Sequence, residues 1–383
     1  MGINSFSAVE EVDQSYFKLT EDLSLSESFS SIKKLPQGST LDGDGYKITG
    51  LTEPLFYTLE EECEIKNLTV GDSHITSNEN KVGVLAGESL GCTFESITIT
   101  NCSVNSVDSV SVGFLCGFCT GSNLRDVIVQ DSKIESKCTA GGLIGWITGE
   151  SNIANCVIDD CQITGVENVG GLVGFSDITS QVTDICVINS EIDGVQKVGG
   201  LVGEGTIQLQ KCISENCTVN GVRDIGGLVG ILNRNSDETV ILDKCYSDNT
   251  VKGGSTNVAG FIGSIYSATV KNCFATGLVR SPSPCGFAEK VSKSSIQSSY
   301  CDNSLVSSLE RECITFINMI RSSQIKDCFT VTTTNITNGN VISEVNSTEV
   351  INFYFNTDIN TDTEIGTNTT LDSIKELKAL AIC

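Results

Sequence analysis

The sequence contains few large or basic side chains. Aromatic residues make up 6% of the 383 residues, Trp146 is the single tryptophan, and the chain has only four prolines and one histidine. A conventional globule of this length usually fills its core with more aromatic side chains, so this composition argues against one. The abundant residues are Val, Ile, Leu, Gly, Ser, Thr and Asn, which favour narrow layers of β-structure.

Basic residues are half as frequent as acidic ones, 24 against 48, which gives a formal net charge of −24. Such a chain repels phosphate backbones and anionic lipid surfaces, so the charge predicts that it binds no nucleic acid. No apolar run approaches the roughly 18 residues that a membrane-spanning helix needs, so membrane insertion is not expected either. A soluble acidic surface is the simplest interpretation, and a polycationic partner or divalent ions are the alternatives.

The first residues, Met1 to Phe6, lack a basic region followed by an apolar stretch, so no secretory signal is visible. If Met1 is the native start, this pattern predicts a cytoplasmic protein; the cell surface or secretion is the alternative. Six Asn-X-Ser/Thr sequons would suit glycosylation outside the cytosol, although chance produces many in a chain so rich in these residues. The sequons lie at Asn67, Asn101, Asn216, Asn335, Asn346 and Asn368.

A short glycine-rich segment recurs along the chain, with Val169-Gly170-Gly171-Leu172-Val173-Gly174 as a typical copy. Its large central residue recurs after 30, 28, 29, 29, 27, 33 and 26 residues. A fixed period near 29 residues is the signature of a solenoid. Weaker copies extend the series to Leu55-Phe56 upstream and to Phe316 and Ile342 downstream. The central residues are Leu85, Leu115, Leu143, Leu172, Leu201, Leu228, Phe261 and Phe287.

Each period holds two further β-prone runs, such as residues 152–158 and 162–165, in which apolar and polar residues alternate. Three short strands fit one coil, and equivalent strands of successive coils would pair in parallel about 4.8 Å apart. The sequence therefore predicts an all-β fold, a parallel β-helix (β-solenoid) of about ten three-stranded coils. The repeat glycines are interpreted as corner residues that take positive φ and allow backbones to approach closely.

The predicted domains are an N-terminal cap with the first strands at residues 1–52, the β-solenoid at residues 53–345, and a degenerate last coil at residues 346–383. In the last segment, the apolar spacing of Asp372 to Leu380 predicts a short C-terminal helical cap. Caps are expected at both ends because an exposed strand edge invites aggregation.

The chain contains 18 cysteines, and one recurs in the middle run of most periods. Stacked residues lie near the strand spacing of about 4.8 Å, whereas a disulfide needs Cβ atoms about 3.8 Å apart. The stacked cysteines are therefore predicted to be reduced, buried, small apolar residues, with disulfides or metal binding as the alternatives. A second column is predicted at Cys102, Cys161 and Cys217. The first column comprises Cys156, Cys186, Cys212, Cys245, Cys273, Cys301 and Cys328.

No motif in the chain predicts a catalytic, cofactor-binding or metal-binding site. Cys116-Gly117-Phe118-Cys119 is a lone CxxC, and His74 is interpreted as an exposed or hydrogen-bonded bystander. Asp159 and Asp160 are adjacent on a strand and would point to opposite faces, so they cannot easily serve one site. Asp42-Gly43-Asp44-Gly45 lacks the acidic spacing of a calcium loop and is interpreted as a plain turn.

The Gly-Gly-Leu-Val-Gly segments and the Asn-Cys pairs that follow them resemble the GLUG repeat, named for its Gly-Leu-hydrophobic-Gly core. Residues 16–25 resemble the leading strand of that family, residues 41–51 its turn and next strand, and residues 368–380 its closing segment. The resemblance covers nearly the whole chain and implies a parallel β-helix of the kind found in surface and adhesin-like proteins. Because the repeats are structural, it assigns no catalytic residue.

A repeat protein without a predicted active site fits a non-enzymatic role as an elongated binding or structural surface, adhesin-like or scaffold. The expected partner is a protein or a glycan on one face of the solenoid, and no cofactor is expected. One alternative is a polysaccharide-active β-helix enzyme, a lyase or hydrolase, which would need carboxylates at a defined separation. The other is a structural protein associated with the cytoskeleton or with filaments.

Overall fold

The computed structural model describes residues 9–13, 15–25, 29–106, 109–233, 239–309, 313–331, 339–356 and 367–369. These residues form β-strands and no helix, and the chain divides into two compact units, residues 1–193 and 194–383. No helix in the described ranges is long and apolar enough to cross a membrane. The C-terminal helix predicted at Asp372 to Leu380 lies outside the described residues.

Unit 1 contains the strands β1 to β24. They are β1 (Val9–Asp13), β2 (Tyr16–Leu19), β3 (Leu23–Ser24), β4 (Ile32–Leu35), β5 (Thr40–Asp42), β6 (Lys47–Thr49), β7 (Phe56–Leu59), β8 (Glu64–Thr76), β9 (Lys81–Val82), β10 (Ala86–Leu90), β11 (Thr93–Ser106), β12 (Ser111–Gly113), β13 (Cys116–Thr120), β14 (Asn123–Gln130), β15 (Lys133–Ser136), β16 (Thr139–Gly141), β17 (Ile144–Thr148), β18 (Asn152–Ala154), β19 (Val157–Asp159), β20 (Gln162–Thr164), β21 (Glu167–Gly170), β22 (Val173–Thr183), β23 (Cys186–Ile188) and β24 (Glu191–Asp193).

Unit 2 contains the strands β25 to β43. They are β25 (Gln196–Gly199), β26 (Val202–Gln210), β27 (Ile213–Gly221), β28 (Arg223–Gly226), β29 (Val229–Leu232), β30 (Val240–Asp243), β31 (Tyr246–Gly253), β32 (Val258–Ala259), β33 (Ile262–Tyr266), β34 (Ala268–Lys271), β35 (Phe274–Ser281), β36 (Ala288–Ser292), β37 (Ser295–Gln297), β38 (Tyr300–Ser307), β39 (Cys313–Arg321), β40 (Gln324–Thr330), β41 (Gly339–Asn346), β42 (Glu349–Asn356) and β43 (Thr367–Thr369).

In unit 1, equivalent strands of successive coils pair in parallel. The glycine-rich segment forms the series β7, β10, β13, β17 and β22, and the middle run forms β8, β11 and β14. The central leucines therefore lie over each other. The backbone N–H of Leu115 donates to the carbonyl of Leu143 at 2.9 Å, and that of Leu143 donates to the carbonyl of Leu172 at 2.8 Å. The predicted column is confirmed in this unit, and its members are buried.

Unit 2 repeats this arrangement with larger central residues. The series β26, β29, β33, β36, β39 and β41 is parallel throughout. The ring centroids of Phe261, Phe287 and Phe316 follow each other at 4.9 Å, which is the spacing of neighbouring strands. Register places Ile317 opposite Ile342, so Val341 and not Ile342 continues the column. The solenoid prediction is confirmed, with about 11 turns and a period near 29 residues.

The coils have more corners than three strands imply. The coil that begins at Thr139 contains the five short strands β16 to β20, because Asn155 and Asp160 adopt positive φ of 55° and 50° within its runs. Of the 28 described non-glycine residues with positive φ, 18 are Asn or Asp. Their short polar side chains tolerate this conformation and hydrogen-bond locally, so Asn and Asp form most of the corners.

The glycines of the repeat have only one of the two properties predicted for them, the close approach of backbones. They do not have positive φ, so their interpretation as corner residues is wrong. Instead, a Cβ on Gly141 would lie 2.0 Å from the carbonyl oxygen of Ile144, and one on Gly142 would lie 2.0 Å from that of Gly171. These glycines are required because the backbones of adjacent segments approach too closely for any side chain.

The 17 described cysteines are free thiols, and all of them are buried except the partly exposed Cys138 and Cys186. The first predicted column needs two corrections. Register pairs Cys186 with Val157 and Cys301 with Ala275, so neither follows the line of the other cysteines. Ile185 occupies the column position in the first of these coils, where it has exchanged places with Cys186, and Ser299 occupies it in the second, two residues before Cys301.

The second cysteine column proves to be a mixed column of cysteine and serine at a corner. The N–H of Cys102 donates to Ser132 Oγ, and the N–H of Cys161 donates to Ser190 Oγ, both at 3.1 Å. The Cys161 thiol donates to the carbonyl of Asp159 at 3.3 Å, and burial raises its pKa to about 12. These cysteines therefore take the place of serine and stabilise the corner through hydrogen bonds.

The N-terminal strand departs from the parallel pattern. β1 pairs antiparallel with β2, and β2 pairs in parallel with β5 on its other side. β1 therefore covers an edge of β2 that would otherwise be unpaired.

Candidate binding groove

One corner of the coil is missing from part of unit 2. In β27 the chain turns at Asn216, which has a φ of 56°, and Thr218 lies five positions after Ile213. In β31 the equivalent Thr250 lies only four positions after Tyr246, and the register between the two strands shifts at this point. β31, β35 and β38 therefore cross the position of the corner as continuous strands.

The straightened corner leaves a groove of about 500 Å³ on the outer face. Its floor contains Asn249, which is 3% exposed. The Asn249 amide donates to Ser214 Oγ at 2.8 Å and to the carbonyl of Gly227 at 2.7 Å, and its oxygen accepts from the N–H of Cys217 at 2.9 Å. In β35 the same position is Gly277, with a φ of 98°, where a Cβ would lie 2.3 Å from the Asn249 carbonyl oxygen.

Two polar columns flank the groove; Asp248 and Asp302 of the first column line it, and Glu215 lies beside Asp248 on the neighbouring strand. Register places Glu215, Asp248, Thr276 and Asp302 side by side on β27, β31, β35 and β38. Beyond the former corner, Thr218, Thr250, Leu278 and Ser304 form the second column. One wall therefore offers carboxylates, which accept hydrogen bonds, and the other offers mainly hydroxyls, which both donate and accept.

The carboxylates of Glu215 and Asp248 are direct neighbours on paired strands, an arrangement in which like charges repel. Among the described residues, no lysine or arginine forms an ion pair with either of them. Other acids of the unit are neutralised, as Glu204 is by Lys197 at 2.7 Å. Glu215 and Asp248 therefore carry negative charge that no basic side chain of the described residues neutralises, although Asp248 is hydrogen-bonded to the Tyr246 hydroxyl.

A ladder of aromatic rings supports the acidic wall from one side. The centroids of Tyr246, Phe274, Tyr300 and Phe329 follow each other at 4.2, 5.1 and 4.7 Å. Because the rings stack on one another, their faces are not free to stack on a ligand. Burial raises the pKa of the Tyr246 hydroxyl to about 12, and that hydroxyl lies 3.0 Å from Thr276 Oγ1.

His74 and Asp159, which were considered for catalysis and set aside, lie on different strands, β8 and β19. His74 is exposed, and its Nδ1 lies 2.9 Å from Ser103 Oγ on the next strand, as expected of a hydrogen-bonded bystander. Asp159 Oδ1 accepts from the amide of Asn189 at 2.8 Å, while Asp160 occupies a corner. Asp160 therefore lies outside β19, and that the two aspartates do not serve one site stays a prediction.

The Asp-Gly-Asp-Gly segment is a turn held by its first aspartate. Asp42 accepts from the N–H of Asp44 at 2.9 Å, from the Tyr16 hydroxyl at 2.6 Å and from the Asn67 amide at 3.0 Å. Burial opposes ionisation of Asp42, but these hydrogen bonds outweigh it and lower the pKa of the carboxyl. The side chain is thus engaged in stabilising the turn.

The two cysteines of the CxxC segment are both fully buried. Burial raises the pKa of both the Cys116 and the Cys119 thiol, the latter to about 11, which disfavours a reactive thiolate. The segment belongs to β13, and the residue between the cysteines that faces outward is Phe118, whose ring lies 4.0 Å from Lys81 Nζ.

Comparison with known proteins assigns this chain to no family. No family model and no curated protein sequence matches the chain, so membership of the GLUG family stays a prediction. Among solved structures, an IgA1 protease chain is 18% identical with a TM-score of 0.37; the match covers 66% of this chain and 20% of the protease chain. This chain thus spans about a fifth of that protein.

Two further solved structures match most of the chain. A protein from Bacteroides ovatus, provisionally named as an immunoglobulin A1 protease, is 13% identical with a TM-score of 0.28, over 95% of this chain and 80% of its own. The Streptococcus pneumoniae surface protein and adhesin PfbA is 10% identical with a TM-score of 0.26, over 93% and 89%. Likenesses at these identities and TM-scores carry no argument about function.

Proposed function

We propose that this chain is a non-enzymatic repeat protein that binds a partner protein through the groove of unit 2, in an adhesin-like or scaffold role. The observation that supports this proposal is the pair of adjacent, uncompensated carboxylates of Glu215 and Asp248. Like charges at neighbouring strand positions repel each other, and a cation supplied by a partner would relieve the repulsion.

The chemistry of the walls favours lysine or arginine side chains of the partner. An ammonium or guanidinium group can donate to the carboxylates of Glu215 and Asp248, while backbone amides and carbonyls of the partner meet the hydroxyls of Thr218, Thr250 and Ser304. The net charge of −24 would steer such a partner toward the protein. A neutral glycan could use the same hydroxyls, but it would leave the carboxylates unneutralised.

Calorimetry with a synthetic peptide of alternating lysine and serine tests this proposal on the full chain. We expect Glu215→Gln combined with Asp248→Asn to weaken binding about tenfold or more, since each charge pair contributes about 1 kcal/mol. The matched control is Glu60→Gln combined with Glu95→Gln, which removes the same two charges from unit 1. Those acids pair with Lys34 and Arg125.

The expected result is a loss confined to the groove variant, together with weaker binding as salt increases. An equal loss in the control variant would show that the peptide responds only to net charge and would overturn the proposal. Salt-insensitive binding of a neutral oligosaccharide that the groove variant abolishes would replace the protein partner by a glycan. Turnover of a polysaccharide that depends on the same carboxylates would replace binding by catalysis.

A further inference from the structure

A buried glutamate occupies a position that is glycine in the preceding coils of unit 2. Register places Glu289 next to Gly263, which follows Gly230 in the same column. At Gly230 a Cβ would lie 2.8 Å from the backbone of Lys197 and Val198, because a covering strand passes directly over it. Gly263 is covered in the same way, with Ile225 N at 3.0 Å. The carbonyl of the preceding glycine in the column is closer still, at 2.5 Å from a Cβ on Gly230 and 2.6 Å from one on Gly263, so glycine is required at both positions.

At Glu289 the covering strand is interrupted. The covering segment of this coil, Pro282-Ser283-Pro284-Cys285, follows β35, and within it only Cys285 forms bridges, with Ala259 and Ile314. Proline has no N–H to donate, so Pro282 and Pro284 leave gaps in the ladder, although the carbonyl of Pro284 still accepts from the N–H of Ile314 at 2.9 Å.

The Glu289 side chain is 6% exposed and only half satisfied. Its Oε1 accepts from the amide of Asn318 at 2.7 Å, and among the described residues no group donates to its buried Oε2. Glu289 interacts electrostatically with the Cys285 thiol of the covering segment and with Lys290 on its own strand. The neighbouring residue on β33 is Gly263, which has no charge. Burial raises the pKa of the Glu289 carboxyl to about 7, although Asn318 and Lys290 lower it.

We propose that Glu289 is a pH-sensitive element that loosens the coil of β36, β37 and β38 when it ionises. Below its ordinary pKa of 4.5, the carboxyl is protonated in both the folded and the unfolded chain, and the coil keeps its full stability. Between pH 4.5 and about 7 the unfolded chain releases this proton while the folded chain retains it, so stability falls as pH rises. Above about pH 7 the buried carboxylate carries an uncompensated charge, and the full loss is reached.

Hydrogen exchange measured by mass spectrometry on the full chain, corrected for intrinsic exchange, tests the proposal. Between pH 5 and pH 8, we expect the opening constant of peptides covering residues 285–321 to increase by roughly a hundredfold in the wild type. In Glu289→Gln, which cannot ionise, this increase should be absent. The control is Glu204→Gln, a buried glutamate of the same unit that pairs with Lys197 and should leave the pH profile of residues 285–321 unchanged.

A pH profile that is the same in the wild type and in Glu289→Gln would overturn the proposal. A second measurement stays decisive even if that variant does not fold. The carboxyl of Glu289 can be titrated directly in the wild-type chain by ¹³C NMR. A midpoint near 7 would support the proposal, whereas a midpoint in the ordinary range of glutamate would refute it.

Discussion

Replacement of a repeat glycine by alanine is the sharpest test of the fold. A Cβ on Gly226 would lie 2.0 Å from the carbonyl oxygen of Val229, 2.8 Å from that of Phe261 and 2.9 Å from the N of Gly263. All three atoms belong to the backbone, so the coil would have to move by about 1 Å or more to relieve the contact. We expect Gly226→Ala to lower the free energy of unfolding by at least about 3 kcal/mol.

Urea unfolding followed by circular dichroism measures this loss, with Gly254→Ala as the matched control. A Cβ on Gly254 would meet nothing closer than 3.5 Å, so the control should be neutral or more stable by up to about 1 kcal/mol. If Gly226→Ala is insoluble while Gly254→Ala is soluble, the loss of stability is larger still and the conclusion is the same. A Gly226→Ala chain within about 1 kcal/mol of the wild type would refute the close approach of the coils.

Two further pairs of substitutions test the corners and the cysteine columns, and thermal denaturation measures both. Cys161→Ser should change stability by less than about 1 kcal/mol, because serine already holds this corner in neighbouring coils, whereas Cys116→Ser buries a hydroxyl in an apolar site and should cost about 1–3 kcal/mol. Equal losses at the two cysteines would contradict this distinction. Lys244 has a φ of 57°, so Lys244→Gly should stabilise the chain by about 0.5–1 kcal/mol, whereas Lys252→Gly, within β31, should destabilise it by a similar amount. A destabilised Lys244→Gly chain would show that this corner is not strained.

The period and the central column could be predicted from the sequence because they depend on one property repeated many times. Leu115, Leu143 and Leu172 stack as the spacing of 28 and 29 residues requires. The registers of Cys186 and Cys301 could not be predicted in the same way. Cys186 has exchanged places with Ile185, and a shift of one residue moves a side chain to the other face of a strand, whereas Cys301 lies two positions after the column residue Ser299.

The groove corresponds to a one-residue deletion in the sequence, which neither the composition nor the period reveals. Residues 212–218 read Cys-Ile-Ser-Glu-Asn-Cys-Thr, and residues 245–250 read Cys-Tyr-Ser-Asp-Asn-Thr, so one residue is missing from the second run. Alignment of these runs would have shown the deletion. Whether it produces a bulge, a slipped register or a groove depends on how Asn249 and Gly277 pack beneath it, and that requires coordinates.

The corners also explain how such a protein can change during evolution. The distance between central residues varies from 26 to 33 positions, yet Leu201, Leu228, Phe261 and Phe287 remain neighbours in one column. Insertions and deletions are therefore absorbed where the chain turns, at little cost to the interior. A single codon deletion at a corner can therefore create or remove a recognition surface while the protein stays folded. The residue that is missing after Asn249 illustrates this.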